Sequence, residues 1–168
     1  MTIHSLQNFY VDQLKDVYSA EKQLLEALPK MANAAFDADL KLAFQNHADQ
    51  TANHLATVQA ILNGLNQNPG SKKCKAMEGL VAEASEIINL QGDPQAKDAA
   101  LILAAQKVEH YEIATYGGLR TYAKALGFSD VVPQLQGILD EEYDCDQQLD
   151  DLAMGGFLTE GLNEKATA

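Results

Sequence analysis

Long stretches of helical periodicity with almost nothing to interrupt them are the strongest constraint on how this chain folds. Four prolines and eleven glycines punctuate 168 residues. No run of alternating β-branched residues marks a strand. The first long helix is expected from His4 or Ser5 to about Phe36, because Leu14, Val17, Glu21, Leu24 and Leu28 recur at helical spacing. Pro29 lies inside it and predicts a kink. Asp37 or Asp39 caps a second helix running to about Leu65, with Leu40, Phe44, His47, Thr51, His54, Val58 and Ile61 on one stripe. Residues 66–71 (NQNPGS) read as a loop, and a shorter helix covers about Ala76 to Leu90. Gly92-Asp93-Pro94 starts the third long helix, with Asp93 as cap and Pro94 in the first turn, and Gly127 stops it after Leu126. Ser129 or Asp130 caps the fourth, whose stripe is Leu135, Leu139, Glu142, Cys145/Asp146, Leu149 and Leu152. Gly155-Gly156 ends it. The residues from about 155 read as a loose tail on one domain spanning 1–168.

The segment from about 66 to 93 is long enough to let the second and third long helices lie parallel, whereas the tight turns on either side make antiparallel pairs. Two hairpins joined by one long crossover is the ferritin-like arrangement, so the expected fold is all-α: an up-down four-helix bundle with a short extra helix in the crossover. A five-helix array of another topology is the alternative. An internal echo favours two hairpins: Glu21 to Asp39 and Glu112 to Asp130 both span 18 residues, and Glu21 to Gln50 and Glu112 to Glu141 both span 29, with Glu142 one residue off.

Composition narrows the function classes. At 46% hydrophobic residues the chain is no acidic disordered segment. Lys plus Arg is 12 against 24 Asp plus Glu, a formal charge of −12, which repels nucleic acid and anionic membrane surfaces alike. The clean apolar run Ala99–Ala105 is too short to span a bilayer, and the N-terminus lacks the pattern of a signal peptide. Two cysteines make no disulfide framework. A cytoplasmic protein is expected.

Polar residues on apolar stripes carry the chemistry. Glu21 lies four residues after Val17 and seven before Leu28, so it points into the core. His47, Gln50 and His54 share a face of the second helix. Glu109 and Glu112 are a turn apart on the third, and Glu142 interrupts the fourth stripe. One buried carboxylate usually pairs with a base or an amide, but four helices each deliver an intrusion. Arg120 is the one arginine in the chain. A pair of divalent cations would neutralise such a cluster and use its oxygens as ligands. Tyr18, Tyr111, Tyr116 and Tyr122 read as core and interface residues ahead of redox-active neighbours, and Cys145, one turn from Glu142 and so within range of the site, reads first as an inert buried thiol. Gly117-Gly118 reads as packing, a bulge or a close helix approach.

The segments DVYSAEKQLLEALPKMA (16–32), NHADQTANH (46–54), CKAMEGLVAEASEII (74–88), DAALILAAQKVEHYEIATYGGLRTYAKALG (98–127) and LDEEYDCDQQLDDLA (139–153) resemble the YciE/YciF family of bacterial ferritin-like stress proteins, a domain of unknown function. The resemblance runs from about Ile3 to Ala153 and is most specific in AAQKVEHYEIA. It implies a fold similar to rubrerythrin and manganese catalase, a site for two iron or manganese ions within the bundle, and a homodimer. The pattern places ligands at Glu21, at the HxxE of the second helix, at Glu109 and Glu112, and at Glu142. The chain departs from it at position 50, where HADQT carries Gln50 in place of Glu, so the second metal loses a bridging carboxylate. The usual ferritin-like order favours His54 as the nitrogen ligand and the family motif favours His47; both stay open. Peroxide or oxygen-linked redox chemistry is the implied activity, with turnover itself undecided. The rival is a non-catalytic bundle dimer, structural or interacting, with no or residual metal. A large iron-storage cage is disfavoured.

Overall fold

The computed structural model describes residues 4–156 and 159–167. It is predominantly helical: α1 (Leu6–Ala34), α2 (Ala38–Gly64), α3 (Lys75–Ile88), α4 (Pro94–Ala125), α5 (Val132–Met154) and α6 (Leu162–Lys165), with a two-residue strand pair, β1 (Gly155–Gly156) and β2 (Thr159–Glu160). The four long helices are those expected, and α3 is the crossover helix. No helix among the described residues is long and apolar enough to cross a membrane.

Local chemistry sets most of the helix ends. Ser5 accepts the Asn8 N–H, Asp37 accepts those of Asp39 and Leu40, and Asp93 accepts that of Ala96 with Pro94 in the first turn. Helix α4 closes at Gly127 (φ 77°), where Gly127 donates to Lys124 and Phe128 donates to the Ala123 carbonyl at 2.9 Å. Helix α2 ends the same way on Asn66, whose φ is 54°. Helix α1 runs continuously through Pro29. Two ends differ from the sequence reading. Neither Ser129 nor Asp130 caps α5: its N-cap is Val131, with no side-chain hydrogen bond, because the turn is closed by Val131 donating to the Phe128 carbonyl at 3.0 Å and Pro133 leaves one fewer donor to satisfy. Helix α3 is capped by Cys74, whose Sγ accepts the Met77 N–H.

The chain beyond Met154 is not the loose tail expected. Gly155 (φ 71°) turns it, β1 pairs antiparallel with β2, and α6 packs on α4 and α5 with Leu162 buried. A side chain at Gly161 would strike the Ala153 carbonyl at 2.4 Å, so glycine is what lets the returning chain lie on the end of α5. Residues 157–158 lie outside the described set.

Side-chain pairs fix the helix directions. Lys15 of α1 bonds Gln67 just past α2, while Glu21 lies beside His54, so α1 and α2 are antiparallel. Gln106 bonds Asp150 and Arg120 bonds Gln136, so α4 and α5 are antiparallel as well. His47 meets Glu109 and His54 meets Tyr116, so α2 and α4 run parallel, as the long crossover requires. Two hydrophobic clusters fill the interior. One gathers Leu24, Leu28, Phe44, Leu101, Ile102 and Leu149; the other Tyr10, Leu14, Val58, Tyr116, Leu119 and Leu139. The predicted polar residues of all four long helices fall between them in sequence along every helix. A built Cβ on Gly117 or Gly118 meets nothing within 4 Å, so these glycines serve no close helix approach within the chain.

Candidate metal centre

Helical spacing brings one polar layer to a common level, and the surrounding apolar clusters exclude water from it. Glu21, Glu112 and Glu142 are 0% exposed, Glu109 is 1%, and His47 and His54 are each 2%. Ligand atoms of His47, Glu109, Glu112 and Glu142 all lie within 4.8 Å of one another, and so do those of Glu21, His54 and Glu142. The two groups share Glu142. The structure therefore brings both candidate histidines to the cluster, one in each group. Gln50 is only half-buried, on the same face of α2 as His47.

The donors are poorly satisfied. His54 presents Nε2 to Glu141 at 2.7 Å and Nδ1 to Glu142 at 3.1 Å, and His47 Nε2 lies 3.3 Å from Glu109. Tyr116 donates its hydroxyl to Glu21 Oε1. Beyond these approaches, Glu21 Oε2, Glu109 Oε2 and both oxygens of Glu112 and of Glu142 have no hydrogen-bond partner among the described residues. Neither does His47 Nδ1, nor do His47 Nε2 and His54 Nδ1, which meet Glu109 and Glu142 without hydrogen-bond geometry. A carboxylate that ionises while buried and unpartnered costs several kcal/mol, so a layer with this many orphaned oxygens either holds protons or meets a cation.

Electrostatics follow from burial. Desolvation pushes the Glu21 carboxyl up to about 7, and holds Glu109 and Glu112 well above the usual range, with the Glu142 charge adding to both. Burial also opposes charge on Glu142, but the His54 ring, 3.1 Å away, and the His47 ring outweigh it and hold Glu142 below its ordinary value. His54 is the reciprocal case: burial disfavours its cation, yet Glu142, Glu21 and Glu141 push it up to about 9. Burial holds His47 below the ordinary histidine value. Without a metal, then, one ion pair, His54 and Glu142, sits among carboxyls that keep their protons. Carboxylate oxygens and imidazole nitrogens are donors that divalent metal ions take.

One feature of the polar layer escaped the sequence reading. Glu141 occupies the outer nitrogen of His54, a carboxylate–histidine contact of the kind that fixes which ring nitrogen is free for a metal. Its only signal was the 29-residue echo with Gln50. Cys145 also enters the layer, with Sγ within 4.8 Å of the His47 and Glu109 donors. An open cavity of about 250 Å³ reaches the layer from outside, walled by His54, Thr57, Gly137 and Glu141. A wider groove of about 520 Å³ between the end of α2 and the start of α5 lies apart from the carboxylates.

A predominantly helical fold around a buried histidine–carboxylate layer is thus the class of protein the geometry defines. The chain belongs to the DUF892 family, a domain of unknown function, which matches residues 5–166. It is 41% identical over 167 residues to Protein YciF of Escherichia coli K12, covering 99% of this chain and 98% of that protein. The crystal structure of the E. coli stress protein YciF superposes with a TM-score of 0.87, covering 90% of this chain and 96% of that one. YcfI of Rhodopseudomonas palustris, described as a candidate structural protein, is 36% identical with a TM-score of 0.86 and the same coverages. A Xanthomonas campestris protein, 24% identical, shares the fold at a TM-score of 0.69 over 87% of this chain and 88% of that chain.

Proposed function

We propose that the chain is a ferritin-like four-helix bundle that holds two divalent transition-metal ions, iron or manganese, in its buried polar layer. The observation that carries this reading is the pair of ligand groups meeting at Glu142: His47, Glu109 and Glu112 on one side, Glu21 and His54 on the other, with most of their oxygens unpartnered. Parallel α2 and α4 between antiparallel neighbours, with a long crossover, support the ferritin-like assignment. A bound pair of such ions supplies open positions for small oxygen species and a change of redox state, the chemistry suited to a stress protein that consumes peroxide or oxygen.

The chain's own residues prepare that site. Glu142, the carboxylate held most acidic and the one shared by both ligand groups, would contribute to holding either ion. Glu141 would hold the proton on His54 Nε2 when an ion displaces the other one, so that Nδ1, which faces Glu142, is the nitrogen that would hold the ion. Tyr116, whose hydroxyl is held well above its ordinary value by burial and by Glu21, remains a donor and orients Glu21. The apolar clusters above and below exclude bulk water, and the cavity beside Glu141 offers an acidic approach for a cation. A homodimer in the cytoplasm completes the proposal: Phe9 and Tyr122 stack edge-on at 5.9 Å beside a groove of about 330 Å³ that a second copy can fill.

The second reading, a non-catalytic structural bundle, draws on Gln50, which removes a carboxylate from the family pattern, and on the description of YcfI. Metal analysis of protein purified without chelator, followed by anomalous scattering at the polar layer, separates the two. Two stoichiometric peaks flanking Glu142 support the metal centre. An apo protein that takes up neither ion when supplied supports the structural reading.

A further inference from the structure

We infer that Cys145 is a metal ligand, supplying a sulfur donor with His47 and Glu109 to one ion of the pair. This rests on the metal-centre reading and goes beyond its oxygen and nitrogen donor set. Cys145 lies on α5 one turn from Glu142, the i, i+3 spacing at which dinuclear bundles present a carboxylate and a second ligand, usually histidine, to the same interior. Its Sγ falls within 4.8 Å of the His47 and Glu109 donors, and its side chain is buried. Both His47 nitrogens and Glu109 Oε2 lack hydrogen-bond partners among the described residues, on side chains 98% or more buried, since His47 is 2% exposed and Glu109 1%. Three donors thus converge on a point that no described hydrogen bond satisfies.

A buried thiol keeps its proton when no cation is present. A divalent ion reverses that balance: on loading, the S–H proton leaves to solvent and the thiolate occupies the ion. Sulfur on one side makes the pair asymmetric, with an all-oxygen-and-nitrogen position at Glu21 and His54. It also tilts the thiolate side toward iron rather than manganese, which prefers harder donors.

Cobalt(II) tests this directly, because ligand-field bands report binding and a near-ultraviolet band reports thiolate-to-metal charge transfer. The metal-free full-length chain is titrated with Co²⁺ without oxygen, alongside Cys145→Ser and Cys74→Ser. The expected result is both signals in the parent and in Cys74→Ser, and ligand-field bands without charge transfer in Cys145→Ser. Ligand-field bands without charge transfer in the parent overturn the sulfur ligand and leave the metal centre standing; no uptake of Co²⁺ overturns both. Should Cys145→Ser fail to fold, Cys74→Ser decides alone, since the chain has two cysteines: a retained band assigns Cys145, a lost one removes it. A thiol that merely hydrogen-bonds Glu109 produces no such band.

Discussion

Glu141 and Glu142, adjacent on α5, meet opposite nitrogens of one histidine. Glu142 is fully buried and belongs to the polar layer, whereas the Glu141 side chain is 48% exposed and acts through His54. Replacing each therefore has a different consequence. Glu112→Ala removes a buried donor and should weaken Mn²⁺ or Fe²⁺ binding most. Glu141→Gln keeps the fold but frees the His54 tautomer, which should cost about tenfold to a hundredfold in affinity, the range seen for outer partners of metal-bound histidine. Gln50→Glu adds a carboxylate next to His47 and should tighten binding. Calorimetry on the four proteins checks the order. Equal, negligible heats throughout would mean that the layer is a polar core and nothing more. The buried members were legible in the sequence because a carboxylate four residues from one apolar stripe residue and seven from the next has one direction to point. Glu141 was not, since its role depends on where the neighbouring helix places a histidine ring.

Asp98 shows what periodicity misses at the scale of whole elements. It sits in the second turn of α4, fully buried, and its two carboxylate oxygens accept the Phe36 N–H at 2.8 Å and the Asp37 N–H at 2.7 Å. The turn between α1 and α2 is thus tied to the far hairpin by one side chain. Asp98→Ala strands two backbone donors and should destabilise the protein by about 2 kcal/mol or more. Asp93→Ala removes an exposed N-cap from the same helix and should cost only about 1 kcal/mol. Urea denaturation with an unchanged m-value measures both; equal losses would show that water replaces the Asp98 contacts. Caps at Ser5, Asp37 and Asp93 were readable because each side chain bonds a donor two or three residues on. The Asp98 contact spans 61 and 62 residues, and no local pattern encodes it. The return of α6 onto α4 and α5 was missed for a related reason: four helical residues carry no periodicity, and Leu162 becomes core only because Gly155 and Gly161 let the chain fold back.

At the scale of the molecule, the long crossover permits α2 and α4 to run parallel, and that course sets the polar residues of four helices at one level. The aromatic residues that a dimer could draw on divide in the structure: Tyr10 and Tyr116 are fully buried within the chain, while Phe9 and Tyr122 remain half-exposed beside a groove. The proposed dimer must use the second pair, so Phe9→Asp should convert it to a folded monomer by light scattering, and an unchanged mass would move the interface elsewhere. The polar layer also fixes how stability depends on pH. Carboxyls raised by burial, with Glu21 at about 7 against an ordinary 4.5, bind protons in the native state that the unfolded chain has released. Their contribution is present below about pH 4.5 and is lost as pH rises through 7; Glu21 alone accounts for about 3 kcal/mol at 1.36 kcal/mol per unit. Glu109 and Glu112 act in the same direction, and His54, raised to about 9, extends the loss further. Glu142, held low, works the other way, adding stability that disappears only in acid. The metal-free protein should therefore melt at progressively lower temperature from about pH 5 to about pH 9. A bound cation competes with those protons and takes up the same oxygens, so its stabilisation, RT ln(1 + [L]/Kd), grows as the carboxyls ionise and amounts to about 2.7 kcal/mol at a hundredfold excess over Kd. Thermal melts of chelator-treated and Mn²⁺-loaded protein across that range should diverge with rising pH. Parallel curves would place the carboxylates outside any metal's reach.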